Sequence, residues 1–510
     1  MPQDKTVDPA AHKENNPRSL VRGLSLLDGV TIVVGSMIGS GIFIVSSESS
    51  RLLGSPGWLM VAWALAGLMT ITGALCLAEI AAMMPQAGGP YVFLREAYSP
   101  GVGFLFGWSQ FLVVQTGTIA AVAVAFANFT GVLIPQISGT NYLIQPVIVG
   151  GYALSLSTQQ LLAIAIISLL TFVNTRGLRM GKLIQRSFTF TKTFALFALV
   201  VVGIFIGWNS SAAAFTSNWW DPTANGWELA KIQPAAMTAG VLAFFLVLGR
   251  AMTGPLFSQS AWNNVTFTAG EVENPGRNLP RALLIGCAVV VSLYLLANVA
   301  YLVTLPLAEI QNASQGRVGS AAVASIFGPS GGVIMAVAIM ISTFGCNNGL
   351  ILAGARVYYA MARDRLFFSA LGTTNKFHVP ALALIAQGVW ASLLVLPRTV
   401  TFAEGSSTPI FGNVYTQLLE YIVSVELVFG ALSVLAVIVL RVRKPGAIRP
   451  YKTWGYPVAP LIFLILSLLL IIDLAFLAPA TAGVGYLIGL TGIPVYLIWR
   501  NSYRTESVMD

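Results

Sequence analysis

GSMIGSG, at residues 35–41, interrupts the first hydrophobic segment of the chain, which continues on both sides of it. Three glycines and two serines in seven residues are atypical of a helix that crosses a membrane. Lipid offers no partners for freed backbone N–H and C=O groups, so an unwound stretch at membrane depth must line a cavity or be buried in protein. The stretch therefore predicts a helix that breaks inside the bilayer, and the break is a candidate binding site.

Composition places the chain among polytopic membrane proteins. Of its 510 residues 56% are hydrophobic and 9% are charged, and the mean hydropathy is +0.78. Residues 97–175 contain no Asp, Glu, Lys or Arg, a run that a water-soluble fold of this size does not sustain. Windows of about twenty apolar residues predict twelve transmembrane helices, at 26–53, 58–83, 102–134, 156–174, 184–208, 236–267, 281–305, 331–361, 379–397, 414–440, 456–477 and 482–499.

The basic residues predict the orientation in the membrane. The net charge of +9 could indicate a nucleic-acid-binding protein, but with both termini inside the cell, all but six of the 28 Lys and Arg residues fall on the cytoplasmic side. That bias follows the positive-inside rule, so no nucleic-acid partner is expected. The six exceptions are Arg51, Lys192, Lys231, Arg250, Arg317 and Arg398.

The chain ends and the cysteines favour neither a secreted protein nor an enzyme. Residues 1–23 and 501–510 are predicted to be cytosolic tails, and the first has no apolar core typical of a signal peptide. Cys76, Cys287 and Cys346 lie in apolar segments, which indicates packing residues and not disulfides or metal ligands. No nucleophile, metal or phosphate motif is visible, so neither an enzyme nor a cofactor is expected.

A second irregular stretch, TGPLFSQSAWNN at residues 253–264, lies in the sixth predicted span. Matched breaks in the first helix of two halves indicate a secondary transporter built from inverted repeats, with its substrate at the membrane midplane. We therefore expect two five-helix repeats, at 24–208 and 234–441. The second is inverted because five is odd, and residues 455–500 add helices 11 and 12.

Six sequence motifs resemble one known family. They are GSMIGSGIF (35–43), AEIAAMMPQAGGPY (78–91), FSQSAWN (257–263), EVENPGRNLP (271–280), FGCNNG (344–349) and RVRKPGAIRP (441–450). Together they resemble the amino acid, polyamine and organocation superfamily, and within it the L-type amino acid transporters and their bacterial homologues. The resemblance covers nearly all of residues 24–500. It implies an all-α membrane protein with the leucine-transporter fold and broken helices 1 and 6, which moves an amino acid by alternating access.

The resemblance also bears on partners and location. Mammalian members of the family pair with a glycoprotein through a cysteine between spans 3 and 4, and residues 134–155 contain none. A disulfide-linked heavy chain is therefore not expected. The chain is predicted to be a monomer or weak homodimer, surrounded by lipid in a plasma or bacterial inner membrane.

The two breaks suit the two charged groups of a zwitterionic amino acid. Backbone N–H groups at the positive N-terminal end of the outer half of helix 1 suit the carboxylate, namely those of Gly39, Ser40 and Gly41. Ser40 adds a hydroxyl donor at a position that contacts the carboxylate in the family. Carbonyl oxygens that match family positions suit the ammonium group, namely those of Met37, Phe257, Ser258 and Ser260.

Several of these interpretations have alternatives. Gly35 and Gly39 have the GxxxG spacing, which also favours a close contact between helices. Phe257 is predicted to be the gate that covers bound substrate, and the alternative is an ordinary core aromatic. Ser260 is neutral where some relatives that carry cationic substrates place an acid, which favours neutral amino acids.

Two further residues are predicted to line the side-chain pocket, Asn264 and Glu426. Glu426 lies roughly 22 Å above the inner surface when counted back along its helix, at a position where relatives usually have a neutral residue. It could take up protons or accept a polar or basic substrate side chain. The alternative is a protonated carboxyl group that packs against a neighbouring helix.

Lys192 is the most informative single charge. It lies six residues past Arg186 and thus roughly 9 Å along the fifth helix, within the hydrocarbon region, where an ionisable group indicates function. In sodium-coupled members of this fold Na⁺ bridges helices 1 and 8, and the resemblance places the Lys192 ammonium group in that role, beside Ser342 and Thr343. The alternative is a lysine that snorkels to the inner interface.

These features predict sodium-independent secondary transport of neutral L-amino acids, by exchange or by proton-linked transport. One alternative is a carrier of cationic amino acids or polyamines, which Glu426 favours. Another is an amino acid sensor that does not transport, but neither short tail provides a signalling domain. A channel would need a continuous polar lining, and the spans are too apolar for one.

Overall fold

The computed structural model describes residues 23–149, 152–225, 227–232, 242–402, 409–412 and 414–509. Most of the predicted N-terminal tail (1–23) lies outside these residues, and so do residues 234–241 at the predicted start of the second repeat. The side chains of the predicted C-terminal tail (501–510) lie outside them too.

About three quarters of the structure is helical. The helices of the first half are α1 (Leu26–Met37), α2 (Gly41–Leu53), α3 (Pro56–Met83), α4 (Pro90–Ala97), α5 (Pro100–Ser109), α6 (Gln115–Leu133), α7 (Thr158–Thr175), α8 (Leu178–Phe205) and α9 (Leu229–Ile232). A π-helical turn, Gln110–Val114, joins α5 to α6.

The helices of the second half are α10 (Ala243–Ala251), α11 (Thr253–Ser258), α12 (Asn264–Phe267), α13 (Pro275–Thr304), α14 (Leu307–Gln311), α15 (Val318–Phe327), α16 (Pro329–Arg363), α17 (Ala381–Leu394), α18 (Val414–Arg443), α19 (Val458–Leu477), α20 (Val484–Leu490) and α21 (Gly492–Met509). A second π-helical turn, Pro479–Gly483, precedes α20. Short 3₁₀ turns occur at Ala213–Phe215, Thr223–Asn225, Ala269–Glu271, Ser314–Gly316 and Ser369–Gly372.

Within the described residues, ten helical segments are long and apolar enough to cross a membrane. Their outward faces are apolar. Phe190 and Phe194 of α8 and Leu468 and Ile472 of α19 are all exposed large hydrophobic side chains. Continuous apolar surface of this kind indicates contact with lipid.

The first and sixth predicted spans each consist of separate helices. Ile38, Gly39 and Ser40 lie between α1 and α2 and belong to neither helix. Residues 259–263 lie between α11 and α12, and among them Ala261 has a φ of 63° in the left-handed region, which few non-glycine residues adopt. We call residues 38–40 the first break and residues 259–263 the second break.

Local capping fixes where α1 begins and hence where the first break falls. Ser25 and Asp28 form a capping box, in which the Ser25 hydroxyl accepts from the Asp28 N–H and the Asp28 carboxylate accepts from the Ser25 N–H at 3.0 Å. Arg186 of α8 donates to the same carboxylate at 2.7 Å. α1 therefore starts at a fixed point beside α8, the helix that carries Lys192.

A small sheet corrects the expectation of an all-α protein. Strands β1 (Tyr142–Val149), β2 (Tyr152–Ser157), β3 (Pro397–Phe402) and β4 (Pro409–Phe411) form an antiparallel sheet in that order. Tyr152 pairs with Thr399, and Leu154 pairs with Pro397. β2 and β3 lie far apart in the sequence, so periodicity within either segment could not reveal their pairing.

The first break lies at the centre of the helical packing. α13 packs against α1, α3 and α8, while α16 packs against α1, α6 and α8. Every residue from Thr31 to Phe43 is buried. We call the face of the molecule where α1 begins the amino-terminal face, and the face that carries the sheet the opposite face.

Gly249 of α10 packs against the carboxyl group of Asp473 on α19. A methyl carbon at position 249 would lie 2.9 Å from Asp473 Cγ. We expect Gly249→Ala to lower the thermal unfolding midpoint, because the Asp473 side chain or the two helices must shift to make room for the methyl group. Gly483→Ala is the control, since no atom lies within 4 Å of that position, and equal midpoints for the two variants would contradict this packing.

Candidate functional site

The ammonium group of Lys192 lies at the first break. Nζ donates to the carbonyl oxygens of Gly35 and of Ile38, the latter at 2.7 Å, and a third carbonyl oxygen, that of Ser342 on α16, lies at 3.5 Å. The side chain is only 1% exposed, so it does not snorkel to an interface. Its charge is compensated by backbone carbonyls that the end of α1 leaves without helical partners.

α16 contacts the break from the other side. The Ser342 hydroxyl donates to the carbonyl oxygens of Ile38 and Gly39 at 3.3 Å each, and the Cys346 thiol donates to that of Ser36 at 3.0 Å. Thr343 is different, because its hydroxyl donates to Ile339 of its own helix at 2.9 Å. Ser342 therefore joins Lys192 at the break, whereas the structure does not bring Thr343 there.

The helix that follows the first break and the helix that precedes the second touch each other at Gly41. A methyl carbon on Gly41 would lie 2.7 Å from Ser258 Cβ and 3.0 Å from Ser258 Cα, so only glycine allows α2 and α11 to approach this closely. The Ser258 hydroxyl donates to Gly254 of its own helix at 2.8 Å. The predicted carboxylate-binding and ammonium-binding stretches are therefore adjacent in space.

We expect Gly41→Ala to reduce amino acid uptake at least tenfold, because the added methyl group separates the two breaks and displaces the backbone groups between them. Uptake into liposomes that contain the purified variant measures this effect. Gly483→Ala, at an open position, should transport like the unsubstituted protein. Unchanged uptake by Gly41→Ala would mean that the close contact has no part in transport.

Two tyrosines that the sequence did not single out hydrogen-bond predicted site atoms. The Tyr294 hydroxyl of α13 donates to the Met37 carbonyl oxygen at 2.8 Å, and the hydroxyls of Tyr415 and Ser40 lie 2.9 Å apart. All four residues are buried. A tyrosine in an apolar span indicates a nearby polar group, since its buried hydroxyl needs a hydrogen-bond partner. The sequence therefore contained a signal for these two residues.

Tyr415 also contacts the predicted gate. Its ring meets that of Phe257 edge to face, with centroids 6.1 Å apart and an interplanar angle of 86°. Ser40, Tyr415 and Phe257 thus form one layer, which we call the gate layer. Phe257 is the predicted gate, and Tyr415 is the aromatic residue that contacts it.

A cavity of about 70 Å³ lies near the second break, and we call it the Glu426 cavity. Ser260 and Glu426 line it together with Gln110 of the π-helical turn. The backbone N–H of Ala261 faces the Glu426 carboxylate. The predicted pocket residue Asn264 does not line this cavity, because α12 begins there and buries it, and Asn263 takes that place.

A larger cavity of about 340 Å³ lies on the other side of the gate layer. It is lined by Tyr415, Arg317 and Arg398 and by residues at the end of α6, and we call it the arginine cavity. Tyr415 and Glu426 are separated by roughly 17 Å along α18. The gate layer therefore separates one cavity towards the opposite face from another towards the amino-terminal face.

Buried ion pairs join the helices at the amino-terminal face. Glu79 of α3 accepts from Arg441 of α18 at 2.6 and 2.9 Å, and Arg449 Nε lies 3.2 Å from it. Glu271 accepts from Arg356 of α16 at 2.8 Å. Arg356, which the charge count had placed in a cytoplasmic segment, is 0% exposed, and this pairing explains its burial.

The described residues contain no cluster of three or more His, Cys, Asp or Glu side chains that could hold a metal ion. The charged group at the first break is the Lys192 ammonium group, which donates to backbone carbonyls there. Such an arrangement offers donors and acceptors to a zwitterion.

Known proteins resemble this chain along nearly its whole length. The Asc-type amino acid transporter 1 of Mus musculus is 28% identical over 501 residues, which cover 95% of this chain and 82% of the relative. The serine/threonine exchanger SteT of Bacillus subtilis is 29% identical over 493 residues, covering 95% and 98%. The large neutral amino acids transporter small subunit 2 of Homo sapiens is 28% identical over 511 residues, covering 99% and 86%.

The sequence profile of the amino acid permease family matches residues 24–499. This match confirms the resemblance that the six motifs indicated, and the matched relatives are transporters and not enzymes. Because the profile extends over almost the entire described chain, the protein belongs to the amino acid permease family.

Proposed function

We propose that the protein is a sodium-independent secondary transporter that exchanges neutral L-amino acids by alternating access. The observation that carries the proposal is the Lys192 ammonium group, which is bonded to carbonyls of α1 at the first break and reaches α16. Such carbonyl oxygens would also suit a sodium ion, and a fixed ammonium group supplies the same charge without one. The names of the relatives, a neutral amino acid transporter and a serine/threonine exchanger among them, support the same function.

The proposed fold has twelve membrane spans with the leucine-transporter topology. Ten spans are long helices, and the shorter apolar helices Ala243–Ser258 and Ala381–Leu394 supply the sixth and ninth. The two five-helix repeats are residues 24–208 and 234–441, and residues 455–500 form helices 11 and 12. In this arrangement the breaks are the interrupted first helices of the two repeats, a design that places substrate between them.

The substrate carboxylate is proposed to bind the N–H groups of Gly39, Ser40 and Gly41. These lie at the start of α2, where the helix dipole favours an anion. The Ser40 hydroxyl would exchange its bond with Tyr415 for one with the carboxylate. The Ser40 hydroxyl oxygen would therefore link the opening of the gate layer to the binding of substrate.

The substrate ammonium group is proposed to bind carbonyl oxygens at the ends of α1 and α11. Those are the groups of Met37, Phe257, Ser258 and Ser260. Tyr294 donates to Met37 and the Ser260 N–H donates to Phe257 at 3.1 Å, which occupies one lone pair of each carbonyl oxygen. Each has a second lone pair for the substrate.

One observation favours a second candidate, a carrier of cationic amino acids or polyamines. The Glu426 carboxylate lines the same cavity as Ser260 and could pair with a basic side chain. We expect Glu426→Gln to abolish uptake of a basic amino acid if this candidate is correct. If neutral amino acids are the substrates, the variant should retain their uptake.

The proposed location is a cell membrane, with both termini in the cytoplasm. A monomer or weak homodimer is proposed, because residues 134–155 contain no cysteine that could bind a heavy chain through a disulfide. β1 and most of β2 lie in that stretch. One relative is named a small subunit, so co-purification of a second polypeptide is the observation that would count against this proposal.

Transport by the purified protein in liposomes tests the proposed function. The liposomes hold one amino acid, face a panel of labelled ones, and are compared at two pH values with and without sodium. If the protein is an exchanger, uptake should require internal substrate and should not depend on sodium. Uptake driven by an inward proton gradient would instead indicate a proton-linked carrier. Binding without flux would show a sensor and overturn the proposal.

A further inference from the structure

Among the described residues, no acidic side chain offsets the two positive charges of the arginine cavity. Arg398 donates to the Gly139 carbonyl oxygen at 2.8 Å, and Arg317 donates to the side-chain and backbone oxygens of Asn128 at 2.7 and 3.1 Å. Neither forms an ion pair with the described residues, and no acidic side chain lines the cavity. Within the described residues, the two cations are therefore held by neutral oxygens and by the rings of Phe129 and Tyr142.

Each guanidinium group retains an unused donor. The Nε atoms of Arg317 and Arg398 are buried and have no hydrogen-bond partner. Arg398 as a whole is only 6% exposed. A buried donor on a cation is costly to leave unpaired, so a site with two of them favours an anion.

Burial lowers the pKa of both side chains, because desolvation disfavours the charged form. Arginine is not deprotonated in proteins, so both groups remain charged at neutral pH. A planar guanidinium group binds carboxylates in a bidentate manner and with good geometry. The chemistry of the cavity therefore matches a small carboxylate.

The cavity has room for such a ligand and leads to the central site. Its volume of about 340 Å³ is many times what one water molecule needs. Tyr415 forms part of its wall, and the hydroxyl of Tyr415 is bonded to Ser40. Tyr415 of the gate layer therefore contacts both the arginine cavity and the first break.

We propose that the arginine cavity is a second binding site, which holds the carboxylate of an amino acid on the opposite face before the substrate passes Tyr415. This inference rests on the proposed function for the identity of the ligand. The carboxylate contacts Arg317 and Arg398 first and the N–H groups of Gly39–Gly41 later. The site serves substrate from one face of the membrane only.

The first test measures uptake by Arg317→Gln, Arg398→Gln and the double variant. Whole cells and inverted membrane vesicles give substrate access from the two faces separately. We expect KM to rise about tenfold per charge in one preparation only, as for the loss of one charge-assisted contact, with the rate at saturation unchanged. Lysine at either position should restore part of the affinity, because it keeps the charge but not the planar bidentate geometry. This partial rescue separates the role of the charge from the support that Arg398 gives the sheet.

Arg51→Gln is the matched control. It removes one positive charge from the same face, but Arg51 is exposed, pairs with Glu48 and lies outside the cavity. Its KM should stay unchanged in both preparations. An unchanged KM in the double variant, or an equal rise from both faces, would overturn the inference.

The second test measures binding and does not depend on transport. Acetate should raise the thermal unfolding midpoint of the purified protein and of Arg51→Gln above that in chloride at equal ionic strength. The double Arg317→Gln, Arg398→Gln variant should show no such rise. An equal effect of chloride, or a rise that persists in the double variant, would contradict a carboxylate site. If the protein transports no amino acid, the proposed function fails, while the acetate result still decides this inference.

Discussion

Lys192→Met is expected to reduce amino acid uptake about a hundredfold or more. Methionine has nearly the same length as lysine but leaves the carbonyl oxygens of Gly35 and Ile38 buried without their cationic partner. A hydrogen bond to a charged group contributes about 1.5–3 kcal/mol, and two are lost. Each 1.4 kcal/mol corresponds to about a tenfold change in the equilibrium constant between the conformation of the break that binds substrate and those that do not. Uptake into liposomes across a pH series measures the loss.

Phe194→Met is the control for the Lys192 variant. It places the same side chain two residues further along α8, at a position that is 72% exposed on the lipid-facing surface. This variant should transport normally. If Lys192→Met transported like Phe194→Met at every pH, the ammonium group would have no role in coupling and the proposed sodium-independent mechanism would lose its support.

The second large effect is expected for Arg356→Met. Arg356 is fully buried and Glu271 is 2% exposed, so the substitution leaves a carboxylate without its partner inside the protein. Breaking a buried pair in this way costs about 3–5 kcal/mol of folding free energy. The backbone carbonyl of Glu271 also accepts from the N–H of Leu24 at 2.9 Å, so the start of α1 should loosen at the same time. A lower thermal unfolding midpoint of the purified variant measures the effect.

Two comparisons isolate this ion pair. Arg363→Met changes an exposed arginine of the same helix and should leave the midpoint near that of the unsubstituted protein. A double variant, Arg356→Met with Glu271→Met, should recover most of the loss, since an apolar pair of similar volume can replace a buried salt bridge. A midpoint for the double variant as low as that for Arg356→Met would show that the pair is not the cause.

The sequence identifies those site residues that depart from the apolar composition of a membrane helix. The glycines and serines of residues 35–41, the polar run at 253–264 and the charge of Lys192 each stand out against uniform hydrophobicity. The structure places all three around one point. Their position could be predicted because each would be costly in lipid unless the protein used or covered it.

The details that the sequence did not predict depend on orientation or on distant partners. Ser342 and Thr343 are neighbours on a helix, so their side chains differ in direction by about 100° and only one faces α1. Asn263 and Asn264 fall where the helix resumes. Because helical periodicity cannot be extended across a break, the sequence does not show which of the two faces the cavity. Tyr415 gains its importance from Ser40, which lies 375 residues away in the chain.

The four-stranded sheet limits how the molecule can move. β2 continues directly into α7 and pairs with β3, which follows α17, while β4 leads towards α18. α6 and α17 also pack against α7, and α18 packs against α6. We expect α7 and α17 to move together, because separating them would rupture the hydrogen bonds between β2 and β3. Within the described residues, the sheet contains no strand next to α1, α2 or α10–α12, so the two interrupted spans can shift without breaking a strand hydrogen bond.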